Sequence, residues 1–559
     1  MSEKMRNRVL RRKLIIETLT ANGNTLSTLL LIAGSIAALL LPTDLLSRST
    51  YISENAILPG QVNTYWSWNQ VHKADRYAEL VDQSRHLPSQ SRASNFLQLF
   101  QSFGLRAQTQ SYSFSSPNSN LIANGTNVHA ILHAPRTDGS EALVLMASWL
   151  TRHPGSDIRQ GDINVRGVAI LLALAEYLIK GTHAWLKAYH GLSQSKGING
   201  QLPNLDLINT VANIVRWTGS CPVTIHDEPL EPSYPSYLPD HPQVHSYIQA
   251  GRTIIKQMAH GLKGSPSGPE GLFSTYRIDA IGLFAHPADG PHGFHTLGTI
   301  LESSLRSLNN LLERLHQSFF LYLLQSEASF LSVAMYLIVP LLIGVGMTIK
   351  GLAKWATASQ DWHSSSPLPL PSSDPENNQD LQSKSIPKRP LSANFENEKG
   401  AQVLWSLRVI GLTHLVGATV YWGLIRSIKP RKPQESVQLY ISMLIFAVLP
   451  MVVIKLEPPT RRSSLAIFEP IQLMLSGCCI SVISVLNFPL GTGIAFALSM
   501  HPLGLALLLL SLGWYHHSSL LSLFIYDQVL DAWILPFFIL LFVPLFVQSL
   551  LLRLLKTFF

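Results

Sequence analysis

The 559-residue sequence has little charge and almost no cysteine. Only 14% of its residues are Asp, Glu, Lys or Arg, against roughly a quarter in ordinary soluble domains. There are three cysteines, Cys478 and Cys479 side by side in an apolar run and Cys221 alone. That pattern excludes a disulfide-framed scaffold and a zinc site of the CxxC type. No HExxH, GxSxG, P-loop or dinucleotide fingerprint occurs, and GSPSG at 264–268 has the wrong spacing for a nucleophile elbow. Cys221 precedes Pro222 in GSCPV with no Cys-His signature nearby, so a free thiol or an intermolecular bridge is expected rather than a nucleophile.

Apolar residues are abundant, at 47% of the chain with a mean hydropathy of +0.19, which points to membrane residence. The net charge of +8 is concentrated at the start, where Lys4, Arg6, Arg8, Arg11, Arg12 and Lys13 face only Glu3. Such a tail beside an apolar run is an orientation signal rather than a nucleic-acid footprint.

A bilayer-crossing helix needs about 20 apolar residues. Residues 1–24 are expected to be a basic cytosolic tail and 25–46 an uncleaved signal-anchor helix, because no small-residue cleavage site follows Pro42. Residues 47–325 have soluble composition and are assigned to the lumen. Residues 326–559 form a bundle of six or seven further helices, with spans near 329–351, 402–426, 438–455, 465–486, one or two in 487–515 around His501-Pro502, and 533–555. A Ser/Pro/Asn/Asp-rich cytosolic loop at 360–400 cannot bury a core and is expected to be disordered. The basic loop 427–437 falls on the luminal side of this count, against the positive-inside rule.

Within 47–325, the alternation in NVHAILHA (127–134) and the run EALVLMA (141–147) predict a hairpin. Residues 162–178 predict a helix with a polar N-terminal cap lying on a sheet. Leu297, Leu301, Leu305, Leu308, Leu312, Leu315 and Phe319 predict one amphipathic helix over 295–324 running almost into the second span.

Chemical candidates are sparse. His129 with His133, and His292 with His295, are close pairs without a carboxylate or cysteine at ligand spacing, so surface histidines are the default. Asn124-Gly125-Thr126 is an N-glycosylation sequon in the segment assigned to the lumen. His414, Glu469, Asp527 and Asp531 lie in or beside spans, where ionisable groups are functional candidates by default. Glu469, Asp527 and Asp531 fit headgroup level; His414 alone fits membrane depth and is the candidate for lipid or substrate binding.

Four stretches carry a resemblance: TYISENAILPGQVNTYW (50–66), GTHAWLKAYHG (181–191), NGQLPNLDLINTV (199–211) and GFHTLGTILESSLRSLNNLLERLHQSFFLYLL (293–324). With their order and the span layout, the chain resembles the GPI-anchor attachment subunits of the GPI transamidase complex over nearly its whole length. The resemblance implies a noncatalytic, multi-pass subunit in the endoplasmic reticulum membrane. Its implied partners are a caspase-like cysteine protease subunit that supplies the nucleophile, the proprotein C-terminal signal and the GPI glycolipid. It implies no cofactor.

The luminal domain of that family is similar to M28 zinc aminopeptidases. At the strand end where those enzymes carry His-x-Asp, this chain has Ala147-Ser148-Trp149-Leu150, and Ile163 stands at the bridging-Asp position beside Asp162. The Glu-Glu pair has no counterpart, and His295 alone matches a ligand position. One ligand cannot hold a catalytic zinc, which takes three protein ligands and a water. The fold class that follows is a polytopic α-helical membrane protein with a luminal α/β domain resembling the M28 fold, short of two central strands. The competing readings are an active M28-like metallopeptidase or metal-assisted amide-forming enzyme, and a transporter-like protein.

Overall fold

The structure is a computed structural model and describes residues 3–59, 63–115, 122–133, 143–151, 163–180, 201–225, 234, 239–264, 268–284, 292–311, 315–364, 391–425, 461–499 and 532–558. Helix α1 (Glu3–Leu40) starts among the basic residues and continues into an apolar run, Thr20–Leu40. It ends at Leu40 rather than Leu46 because the residue before Pro42 is pushed out of helical geometry; a turn with Thr43 N–H donating to the Leu40 carbonyl takes over (3.0 Å).

The extramembrane part follows: β1 (Arg48–Ser49), α2 (Trp68–Gln83), α3 (Ser89–Ser102), β2 (Arg106–Ser115), β3 (Ile122–Ile131), α4 (Val165–Lys180), α5 (Leu205–Asn213), α6 (Pro242–Lys263), α7 (Phe294–Asn309), β4 (Tyr322–Leu324) and β5 (Ser329–Ser332). Helix α2 opens with a capping box, the Gln70 side chain accepting from the Ser67 backbone N–H at 3.1 Å. In α4 the cap is Asn164, whose Oδ1 accepts from Gly167 N–H at 2.9 Å; Asp162 lies outside the described residues. Trp66, Val71, Ala74, Ile170, Leu174, Tyr177 and Leu305 form the central core between α2, α4 and α7.

Two local expectations are corrected. Strand β3 pairs antiparallel with the upstream β2, Gln108 opposite His129, rather than with 141–147. Residues 143–150 run beside the core without a ladder, their inner side chains Leu143 and Leu145 against α2, α4 and α7 while Val144, Met146 and Leu150 are exposed. The helix expected over 295–324 ends at Asn309, and Tyr322–Leu324 is instead a strand. The aromatic, β-prone FFLYLL sequence supplies an outer strand, β4, of a small antiparallel sheet in the order β1-β5-β4, with β5 in the middle.

The membrane part contains α8 (Val333–Tyr336), α9 (Ile338–Ser364), α10 (Leu391–Thr419), α11 (Arg461–Leu486), α12 (Phe488–Ser499), α13 (Ile534–Phe537) and α14 (Val543–Phe558), with π turns at Val420–Ile425 and Phe538–Phe542. Among the described residues, five helical runs are long and apolar enough to cross a membrane: Thr20–Leu40, Val333–Ser359, Gln402–Trp422, Leu465–Leu486 and Ile534–Lys556. The spans expected at 438–455 and in 500–515, and the basic loop 427–437, lie outside the described residues. Of the loop expected at 360–400, both flanks are helical, α9 to Ser364 and α10 from Leu391.

Helix α9 is the centre of this bundle, and small residues let its neighbours approach. An added Cβ on Gly23 would meet Ala353 at 2.4 Å, one on Gly34 would meet Ile343 at 2.8 Å, and one on Gly477 would meet the Gly344 carbonyl at 2.5 Å. These contacts set α1 and α11 antiparallel to α9 on two of its sides.

Helix α6 lies between the two parts. Pro242 occupies its first turn and Gly264 its C-terminal end at φ +59, where a left-handed conformation favours glycine. At one end Tyr247 donates to the Leu39 carbonyl of α1 (2.8 Å), and at the other Asn487 donates to the Gly261 carbonyl (2.9 Å). In between, the Gln257 amide bonds both the Tyr322 carbonyl and the Leu324 N–H of β4.

Candidate functional site

The functional question centres on where three of the resembling stretches meet. Glu302, fully buried in α7, accepts with Oε2 from the backbone N–H groups of Tyr65 (2.9 Å) and Trp66 (2.8 Å). Its Oε1 accepts from the Tyr177 hydroxyl (2.9 Å) and lies 3.6 Å from Arg306. Arg306 bonds the Asn63 carbonyl and covers the Tyr65 ring. Trp66 packs edge-on against Tyr177 and donates its indole N–H to the Phe294 carbonyl. Gly298 is required here, because a Cβ would sit 2.1 Å from the Trp66 ring. Burial, then the Glu302 charge, raises the Tyr177 phenol well above its ordinary pKa, so it stays a donor.

A second carboxylate repeats the device. Asp206, buried at the start of α5, accepts from the backbone N–H groups of Ser53 (3.0 Å) and Glu54 (2.8 Å). Asn204 caps the same helix by accepting from Asp206 N–H, while Asn209 donates to the Tyr51 carbonyl. The Asn204 backbone N–H donates to Asp279, whose carboxyl is raised by burial against that lowering bond. A third, Glu176 of α4, accepts from Lys73, Tyr77 and Lys180. Burial alone would raise it, but bonds from Lys180, Tyr77 and Lys73 outweigh this and hold it down to about 2.

These groups are engaged in tying chain segments together. Among the described residues, no group of three or more His, Cys, Asp or Glu could hold a metal ion. His295 is exposed on the first turn of α7 against the Trp68 ring; His129, His133 and His292 are also exposed. Asn124 is exposed on β3, its Oδ1 accepting from Ser113. Cys221, whose Sγ contacts the Gly219 carbonyl, has its pKa raised by burial, against nucleophilic use. His414 bonds the Leu540 carbonyl with Nδ1 (2.9 Å), at the π turn that interrupts the regular ladder of the last span. Glu469 is held by Lys354 and Lys556. Asp527, Asp531 and residues 181–191 lie outside the described residues. Sequence reading missed Glu302 and Asp206; the available signal was a lone acid inside the apolar stripe of a helix.

The fold and this junction define a polytopic helical membrane protein whose large extramembrane domain is inserted between its first two spans. Its sequence matches the family model described as Gaa1-like, GPI transamidase component, over residues 124–196 and 194–551, so the chain belongs to that family. It is similar to the GPI transamidase component GAA1 of Saccharomyces cerevisiae (strain ATCC 204508 / S288c), 28% identical over 375 residues that cover 58% of this chain and 56% of that protein. It is also similar to the GPI transamidase component gaa1 of Schizosaccharomyces pombe (strain 972 / ATCC 24843), 27% identical over 383 residues, covering 56% and 61%. The chain thus spans little more than half the length of these relatives.

Proposed function

We propose that the chain is a noncatalytic subunit of a GPI transamidase complex in the endoplasmic reticulum membrane. In this reading its N-terminus is cytosolic and residues 47–325 are luminal. That domain docks the other luminal subunits, including a caspase-like cysteine protease, and the proprotein C-terminal signal. The bundle, residues 326–559, helps hold the GPI glycolipid, with His414 the intramembrane candidate. Positioning the glycolipid amine against an acyl-enzyme on the partner accelerates transfer by proximity, with no catalytic group from this chain.

One observation carries the reading. Three of the stretches that carry the family resemblance, 50–66, 199–211 and 293–324, converge on Glu302 and Asp206, where these carboxylates fasten the post-span segment to the domain. The proposed M28-like fold of the luminal domain is supported by the resemblance read from the sequence and by α4 packed beside the extended 143–150 segment. His295 then marks a ligand position without companions, and Asn124, exposed on β3, is the glycan acceptor.

Affinity purification of the full chain from detergent tests the proposal. A caspase-like subunit co-purifies if it holds, and its absence from a folded, correctly localised chain overturns it. In the same preparation, a glycosidase-sensitive mass shift should vanish in Asn124→Gln. Stoichiometric zinc that is lost on His295→Ala would refute the noncatalytic reading.

A further inference from the structure

Among the described residues, one end of the bundle gathers cations from different helices around the carboxylate of Glu469. Glu469, in the first turns of the Leu465–Leu486 span, accepts from Lys354 of α9 (3.1 Å) and Lys556 of α14 (2.5 Å). One turn below Lys354, the half-buried Lys350 lies within electrostatic reach of Lys354, Arg553 and Lys556, with Glu469 as counter-charge. Gly351 against Pro470, and Gly23 against Ala353, put this cluster level with the start of the α1 span, on the membrane face from which the basic turns of α1 project. The spans involved end or begin here, at Ser359, Leu465 and Lys556, so the cluster sits at headgroup depth.

From this convergence we propose that Lys350, Lys354 and Lys556 hold a phosphate-bearing headgroup, that of an anionic phospholipid, where α9, α11 and α14 meet. Lys354 and Lys556 share the Glu469 carboxylate, and Lys350 faces both lysines at the edge of a low-dielectric region, where like charges repel strongly. A phosphate oxyanion relieves that repulsion and accepts several N–H donors at once. Basic pockets between transmembrane helices bind anionic headgroups for this reason. The source is lipid rather than free phosphate because Lys350 is set below the rim, beside the bundle surface along which acyl chains run.

The test is retention of phosphatidylserine or phosphatidylinositol relative to phosphatidylcholine by the full chain, purified in detergent and read by native mass spectrometry. Anionic lipid should be enriched and should survive a wash with inorganic phosphate. Retention should fall about fivefold in Lys350→Gln and further in Lys350→Gln/Lys556→Gln, while Arg11→Gln, on the exposed basic turn, changes it less. Glu469→Gln should move retention the other way, because it removes the negative charge that Lys354 and Lys556 share; this opposite sign separates headgroup binding from simple loss of helix packing. Loss of bound anion to the phosphate wash without lipid preference overturns the lipid assignment. Unchanged retention in the double variant, or reduced retention in Glu469→Gln, overturns the site and leaves a helix clamp.

Discussion

The extramembrane domain and the bundle use polar groups in opposite ways. In the domain, buried carboxylates do the fastening: Glu302 and Asp206 each take two backbone N–H groups, and Glu176 takes three side-chain donors. In the bundle the buried fasteners are neutral. Gln472 joins Ser476 and Ser549, and Gln548 joins Thr413, while the carboxylate Glu469 is confined to the end of its span. The difference follows from solvent. A carboxylate buried beside water-facing loops recovers its lost hydration from several N–H donors, whereas at bilayer depth a full charge is too costly and close backbone approach through glycine takes over.

The largest effect that would break this comparison is expected at Glu302. Glu302→Ala strands two backbone N–H groups, a tyrosine hydroxyl and Arg306, and should destabilise the domain by about 3–5 kcal/mol, read as a lowered melting temperature by tryptophan fluorescence in detergent; an unchanged melt would remove Glu302 from its role. Next is Glu176. Its pKa falls from 4.5 unfolded to about 2 folded, so its stabilisation is full above pH 4.5 and disappears as the pH drops toward 2. That contribution is at most about 3 kcal/mol, and Glu176→Gln should flatten the acid limb of a stability–pH curve. The smallest effect belongs to the membrane: Gln548→Leu should cost about 1 kcal/mol or less by steric-trap unfolding in bicelles. A cost equal to that of Glu302→Ala would erase the contrast.

How much of this was legible in the sequence divides along the same line. Spans that depend only on local hydropathy appear close to their expected places, as at Leu465–Leu486 and Ile534–Lys556. Elements whose partners are distant do not. The β2–β3 pairing depends on residues 106–115, which show no strong apolar alternation, and the strand at Tyr322–Leu324 depends on β5, itself paired with β1, as its partner. Helix α6 went unread because its packing surface is assembled from Leu39, Pro42, Tyr322, Asn487 and Pro489, which share no sequence neighbourhood. The family stretches were legible as text; that their acids grip backbone rather than a ligand is a tertiary fact.

The small sheet has a topological consequence. Arg48 and Ser49 pair with Phe330 and Ser329, and Thr50 N–H donates to the Ala328 carbonyl, so the chain enters and leaves the domain through neighbouring strands. The domain is an inserted module closed at its base, and α1 with α9 is the helical hairpin that receives it. A long insertion whose ends are already joined adds little closure entropy to the hairpin. Separating the two helices would therefore first have to unzip β1 from β5.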